Sequence, residues 1–587
     1  MRVKTSESND MTKWSYALES HSVNLASLHH CPRVKADSPM YIYDNYDQTM
    51  VDERVNQYRD QTQRFLAGEL PAEEFQHLRL RNGLYIQRLA PMLRVAVPYG
   101  MLNSPQLRKL AYICRHFDRG YAHFTTRQNV QYNWPKLAEV PDILAELASV
   151  QMHAIQTSGN CIRNVTSDQY AGVAIDEIED SRPWAELIRQ WSTFHPEYNW
   201  LPRKFKVAVT GAREDRAAVQ VHDIGVRLVE RDGIVGFQIL VGGGLGRTPV
   251  IAPVIRDYLD KEHLLTYLEA ILRVYNRFGN RENKYKARIK ILVRAMTPAV
   301  FAAKVEQEWQ SLRDGPDTLT DAEINRVKAC FTRPTYIEAS NNPSVLVSAL
   351  KEDFAFKAWH SRNVKPHQQA GYAIANLAMK ATGIAPGDVT DDQLETIADL
   401  ADQYSFGEIR VTHEQNVTFS DVRQDELYNL WQKLCVAGLA SPNLGLLTDI
   451  ICCPGGDYCS LANAKSIPVA EAIQRQFDDL DYLHDLGDLD INISGCMNAC
   501  GHHHVGNIGI LGVDKKGAEF YQVSIGGSAS NDAALAKILG PSFAQEVIPS
   551  VIQKLVDVYL TRRESDEQFL ETYSRIGIQP YKDSVYA

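Results

Sequence analysis

The sequence predicts an internally duplicated α+β protein, in which each half holds a small α/β unit followed by a larger mixed one. Three observations predict it. Residues 106–130 and 393–417 align without a gap at a constant offset of 287. Gln106, Leu107, Ala111, Gly120, Thr125, Gln128, Asn129 and Val130 have identical partners, and Gly100 matches Gly387. An ungapped match of this length marks a duplication. Second, the copies differ in charge: Arg94 and Arg127 stand where the second copy has Ala381 and Glu414. Third, Cys453, Cys459, Cys496 and Cys500 fall in the second half, with no counterpart in the first. A scaffold with its arginines in one half and its thiols in the other implies one site between the halves.

The elements follow from local pattern. Each repeat reads as an amphipathic helix, a glycine turn and a strand ending in a polar TxxQNV segment. In the first large unit, VRLVERDGIVGFQILVGGG reads as a hairpin turning at Asp232-Gly233. Residues 1–39 are polar and aperiodic and are expected to be disordered, and a start at Met40 is an open alternative. The expected organisation is a first half-domain with an N-terminal arm (40–150), a first large domain (151–310), a polar linker (311–345), a second half-domain (346–438), and a second large domain with the C-terminal tail (439–587).

Composition narrows the function. The 587 residues allow several cores, and 44% hydrophobic with 23% charged content is ordinary for a globular protein. A formal net charge of −10 argues against non-specific nucleic-acid binding. No apolar run reaches the length of a membrane span, and the N-terminus lacks a signal-peptide core, so the expected compartment is cytoplasmic. Ten cysteines in such a chain are too few for a disulfide framework, and their clustering favours a metal.

The two pairs, C-x5-C in CCPGGDYC and C-x3-C in SGCMNACG, sit among glycines that let backbone and thiolates crowd one object. An iron–sulfur cluster held by four cysteines is the leading reading. A structural zinc site is the competing one, although the five-residue gap is atypical for zinc. Cys496 and Cys500 are spaced as one helical turn. Cys452 is expected to point elsewhere, and Cys31, Cys114, Cys330 and Cys435 read as incidental thiols. Of His502, His503 and His504, at most two could line one pocket.

Basic residues form a second constellation. Lys204 and Lys206 in LPRKFKVAV share one face if extended, which suggests an anion pocket or, equally, a solvated face. Arg94, Arg127 and Arg163 lie in apolar or turn contexts where a buried guanidinium needs an anion. The run from Arg277 to Lys290 reads as a solvated face; buried, it would imply a polyanionic ligand. Gly242, Gly243, Gly244 and Gly246 lack dinucleotide spacing, and suggest instead a close approach of backbone to a flat cofactor. With no flavin or nicotinamide module, electrons must come from a separate partner.

Together MLRVAVPYG, TTRQNVQ, GNCIRN, LPRKFK, LVGGG, CPGGDYC and GCMNACG, in this order, resemble the sirohaem-dependent sulfite and nitrite reductases, most closely the assimilatory sulfite reductase haemoproteins. The resemblance implies two ferredoxin-like half-domains plus two larger mixed α/β sirohaem/cluster domains around one central cofactor site. It implies a [4Fe–4S] cluster on Cys453, Cys459, Cys496 and Cys500, with Cys500 also ligating the sirohaem iron. Thr125, Arg127, Gln131, Gly243 and Gly244 would contact sirohaem, whose eight carboxylates explain the surplus of cations. Arg94, Arg163, Lys204 and Lys206 would surround the substrate. The implied reaction is six-electron reduction of sulfite to sulfide, with electrons from a ferredoxin or a separate flavoprotein subunit. Nitrite reduction to ammonia is the alternative. Similar nitrite enzymes tend to carry asparagine at the position of Lys206, so PRKFK favours sulfite. Some relatives carry a Tyr–Cys crosslink; Tyr85 matches the tyrosine, but Ser158 stands at the cysteine position and no crosslink is expected, with Cys161 the nearby thiol.

Overall fold

The computed structural model describes residues 40–587; the stretch 1–39, expected to be disordered, lies outside the described residues. Among the described residues the chain forms four five-stranded sheets. Two belong to the small units and two to the large ones.

The small units exchange strands. The first sheet runs Leu84–Ile86, Pro91–Val95, Val130–Tyr132, Tyr121–Phe124, and then Asp388–Thr390 from the other half. The second runs Val364–Pro366, Tyr372–Leu377, Val417–Arg423, Glu408–Val411, and then Met101–Asn103 from the first half. Asp388 pairs with His123 in one sheet, and Met101 with Arg410 in the other, a register that obeys the repeat. The matched glycines explain the crossing. Gly100 and Gly387 have φ of +81° and +83°, and a Cβ there would lie 2.5 Å from the Val411 carbonyl and 3.0 Å from the Phe124 carbonyl respectively. Each exchanged strand leads into a capped helix, Ser104–Phe117 behind Asn103 and Asp391–Tyr404 behind Thr390. A capping box closes both, through Gln106 and Gln393. These helices bury Leu107, Leu110 and Ala111 and their counterparts Leu394, Ile397 and Ala398 in one apolar core shared by both halves. Such burial contributes ~1.5–3 kcal/mol for each large side chain.

The large units share one topology: two parallel pairings, then antiparallel ones. Val207–Thr210, Ile224–Arg231 and Ile234–Val241 correspond to Ile491–Ser494, Ile508–Lys515 and Ala518–Ile525. Each has its own apolar core. Ala218, Val221 and Val505 form a small apolar contact between them. The expected hairpin turns at Asp232 and Gly233, with φ of +53° and +78°. Within the stretch expected as a linker, the helix Asp321–Lys328 packs Ile324 and Val327 into the core of the first large unit. Its two apolar residues, three apart, give it one buried face despite its polar composition. No helix among the described residues is long and apolar enough to cross a membrane.

Candidate functional site

The two cysteine loops pack against each other through glycine-lined backbone contacts. The N–H of Cys453 donates to the Ile493 carbonyl, and the Gly495 N–H donates to Cys453 Sγ at 3.3 Å. A Cβ on Gly495 would lie 2.6 Å from Gly455 Cα, and one on Gly501 1.9 Å from the Ile493 carbonyl, so the loops interlock only as glycines. Burial pushes the Cys453 thiol up to about 12, with Cys500 as the next cause. Burial also raises Cys459 and Cys496, and both feel Cys500. Among the described residues no three His, Cys, Asp or Glu side chains close on an ion-sized point. A four-iron cluster asks for a wider set, one thiolate for each iron.

The expected helical turn between Cys496 and Cys500 is absent. Ala499 and His502 adopt φ of +55° and +57°, which no α-helix accommodates, and successive tight turns replace it. Cys496 is buried there and Cys500 exposed. Cys452 faces the core, its Sγ donating to the Cys453 carbonyl.

The arginine half touches Cys500 directly. The TxxQN segment is a tight turn between antiparallel strands: Thr125 N–H donates to the Asn129 carbonyl, and Gln128 takes φ of +57°. Thr125 Oγ1 accepts the Arg127 and Asn129 N–H groups, so this hydroxyl shapes the turn. Thr126 Oγ1 donates to the Cys500 carbonyl at 2.8 Å. Arg127 extends to Thr166 Oγ1 at 2.7 Å and the Asn164 carbonyl at 2.5 Å, while its buried Nε has no partner. Burial holds its guanidinium down to about 9.

Arg94 donates to Gln131 Oε1 at 3.0 Å, and Gln131 in turn donates to Asn133. Gln131 is therefore engaged in aiming Arg94. Arg163 is held by the Thr157 carbonyl at 2.7 Å and the Gly159 carbonyl at 2.8 Å. Lys204 and Lys206 precede the strand Val207–Thr210 in extended chain. Phe205 between them bridges to Ile162 and enters the core, which leaves both lysines on the opposite face. Burial, then Arg163, lowers Lys204 to about 8; burial, then Lys204 and Arg127, takes Lys206 well below the usual ammonium range. Among the described residues no carboxylate pairs with Arg94, Arg127, Arg163, Lys204 or Lys206. Five basic side chains without a salt-bridged carboxylate and an orphaned guanidinium N–H fit a polyanionic ligand such as the eight carboxylates of sirohaem. Tyr85 lies among them: burial works to raise its phenol, but Arg163, Arg94 and Lys204 outweigh that and lower it. Ser158 Oγ donates to the Leu80 carbonyl, and Cys161 Sγ to the Ser158 carbonyl.

The glycine loop has a second use. A Cβ on Gly243 would lie 2.4 Å from the Gln220 carbonyl, and one on Gly244 3.0 Å from Arg288 Nη2. Gly246 accepts from His504 Nε2, which ties this loop to the segment after Cys500. His502 is buried and kept neutral by burial, then Lys206, whereas both nitrogens of His503 are buried without partners. The basic run splits: Arg281 to Lys286 is exposed, but Arg288 and Lys290 turn inward.

Several residues here escaped sequence reasoning. Asp223, fully buried, accepts from Arg288 and from the Lys206 N–H. Gln128 bonds to the Ser167 backbone, and Gln415 Oε1 accepts the Cys452 N–H at 2.8 Å. Both glutamines were visible as repeat identities, the one signal that marked them. The first large unit does hold counterparts of the thiols: by strand register Asp168 and Arg216 occupy the places of Cys453 and Cys500, and they form an ion pair at 2.9 Å. Lys204 and Lys206 likewise become Asp488 and Asp490.

Comparison with known proteins agrees in extent with this architecture. A family model described as the nitrite and sulphite reductase 4Fe-4S domain matches residues 158–312 and 446–586. The nitrite/sulfite reductase ferredoxin-like half domain matches 87–150 and 375–437. An assimilatory ferredoxin-dependent nitrite reductase of Haloferax mediterranei is 27% identical over 501 residues, covering 81% of this chain and 80% of that protein. The chloroplastic ferredoxin–nitrite reductase of Arabidopsis thaliana is 27% identical, covering 81% and 78%. Sulfite reductase [ferredoxin] 1 of Mycolicibacterium paratuberculosis is 26% identical, covering 81% of each chain. The solved structure of the Mycobacterium tuberculosis NirA protein shares the fold, with a TM-score of 0.73 at 23% identity, over 92% of this chain and 97% of that one.

Proposed function

Because the chain belongs to the nitrite and sulfite reductase family, which carries sirohaem and a [4Fe–4S] cluster, we propose that it reduces sulfite to sulfide with six electrons from a ferredoxin. The observation that carries the choice of anion is Lys206, set beside Lys204 and Arg127 and without a carboxylate partner. Cys453, Cys459, Cys496 and Cys500 of the second half would hold the cluster, and Cys500 would also serve the sirohaem. When bound, sirohaem supplies the iron that holds the anion and the cluster supplies electrons singly.

The chain's own groups do the rest. Arg94 and Arg163, fixed by Gln131 and by backbone carbonyls, present N–H groups to the substrate oxygens. Lys204, lowered to about 8, carries charge near neutral pH, and burial among like charges weakens the grip of both Lys204 and Lys206 on the proton at Nζ. Each S–O bond broken consumes two protons to release water, and in this reading these lysines deliver them. Arg127, Thr125 and the Gly243–Gly244 loop line the sirohaem side. Ferredoxin is the proposed donor because the relatives named above are described as ferredoxin-dependent. The second reading, nitrite reduction to ammonia, is favoured by relatives described as nitrite reductases. The test is a visible spectrum followed by reduced-ferredoxin assays with sulfite and nitrite side by side. Strong sirohaem bands and a higher kcat/KM for sulfite are expected. A colourless protein would sink the family chemistry for this chain, and a preference for nitrite would overturn the choice of sulfite.

A further inference from the structure

The duplication supplies an internal control for one buried carboxylate. Asp223 is fully buried. Its Oδ2 accepts the Lys206 N–H at 2.8 Å, and its Oδ1 accepts Arg288 Nε and Nη2 at 3.0 and 2.7 Å. By strand register its counterpart is Asn507, whose Oδ1 accepts the N–H of Asp490, the counterpart of Lys206, at 3.0 Å. In both copies the next strand then closes the same way, Ile224 N–H onto the Lys206 carbonyl and Ile508 N–H onto the Asp490 carbonyl. Holding the main chain at this place therefore requires only a neutral amide oxygen. The charge on Asp223 is surplus to that task, and it faces Arg288.

Arg288 is placed for the anion pocket. It is one of the cations that depress Lys204, Lys206 and Arg127. A Cβ at Gly244 would come within 3.0 Å of its Nη2. Gly244 has φ of +144° and lies in the loop read as a cofactor wall. Glycine at this place thus admits a guanidinium as well as a cofactor.

We propose that Asp223 is a positioning residue of the reduction site: it fixes Lys206 through the main chain and aims Arg288 as a further cation of the anion pocket. The proposal rests on reading the basic cluster as the substrate and sirohaem pocket. An isolated charged hydrogen-bond partner is worth about tenfold or more in an equilibrium constant.

The test uses the holoenzyme and four variants: Asp223→Asn, Arg288→Met, the double variant and Arg288→Lys. Sirohaem absorbance and iron per chain are measured first, then the sulfite concentration that half-shifts the visible spectrum, then kcat and KM. D223N should keep both cofactors, because an amide oxygen can still accept the Lys206 N–H as Asn507 accepts that of Asp490. D223N and R288M should each raise the sulfite midpoint and KM about tenfold, with a smaller change in kcat. The double variant should be no worse than either, since the two act as one unit. Full additivity, or a D223N midpoint within twofold of wild type, would overturn the proposal. If D223N loses its cofactors, R288K decides. A single ammonium cannot replace the bidentate fork, so R288K should stay impaired at least about fivefold; wild-type behaviour would overturn the proposal. A wild-type enzyme that holds both cofactors yet turns over neither anion would instead fail the functional reading, and the spectral midpoint would still report on Asp223.

Discussion

Gln415→Met should uncouple the cluster loop from the half-domain that supports it. Gln415 is fully buried, with φ of +67° in the second TxxQN turn. Its Oε1 accepts the Cys452 N–H at 2.8 Å, and its Nε2 donates to the Phe124 carbonyl at 2.9 Å and lies 3.1 Å from His123 Nε2. One side chain thus joins the second half-domain, the first half-domain and the residue before Cys453. Methionine keeps the volume and loses every one of these bonds. An orphaned buried N–H or C=O costs ~1–3 kcal/mol, so the total loss should be ~2–5 kcal/mol. The assay is urea unfolding with iron per chain measured alongside, and iron should fall together with stability. Gln128→Met is the control: Gln128 binds the Ser167 N–H at 3.0 Å and the Val411 carbonyl at 3.1 Å, the matching contacts on the side without thiols. It should cost similar stability but leave iron in place. A loss below ~1 kcal/mol for Q415M, or equal iron loss in both variants, would refute the reasoning.

Other outcomes follow from the same geometry. Lys206→Asn should cut sulfite kcat/KM about tenfold or more while nitrite turnover stays within a few fold, measured with one reduced donor; unchanged sulfite turnover would remove Lys206 from the specificity argument. Lys204, lowered to about 8 by burial and then Arg163, sheds its proton as pH rises through that value. The KM for sulfite should therefore climb on the alkaline side of pH 8, and a Lys204→Met variant should show a flat profile there. Stability runs the other way: the unfolded chain keeps this proton to higher pH than the folded one, so the penalty for burying the ammonium fades and stability rises as pH climbs above 8. Arg216→Met leaves Asp168 buried beside Asp176 without its cation and should cost ~3–5 kcal/mol in urea unfolding; little or no loss would mean that the pair is not what replaces the thiol contact in that half.

Legibility in the sequence depended on spacing. The half-domain repeat was readable because the TxxQNV turn and its helix kept both residue type and distance. The duplication of the large units was not, because its matched places differ in chemistry: Asp168 against Cys453, Arg216 against Cys500, Lys206 against Asp490. Only shared strand register reveals them. The helical spacing of Cys496 and Cys500 misled for a related reason, since left-handed turns at Ala499 and His502 leave no trace in spacing alone. The basic run from Arg277 to Lys290 could not be divided by composition, yet the fold exposes its first part, half-buries Arg288 and buries Lys290.

By itself the sequence determined the duplication, the four thiols and the cations around them, since these are properties of residue type and local order. The tertiary structure alone decided which groups meet. It exchanged the edge strands of the half-domains, set Thr126 against Cys500, and left five basic side chains without a salt-bridged carboxylate while giving Asp223 to Arg288. Those outcomes depend on contacts between residues far apart in the chain, where backbone crossing and burial, rather than local pattern, select the partner.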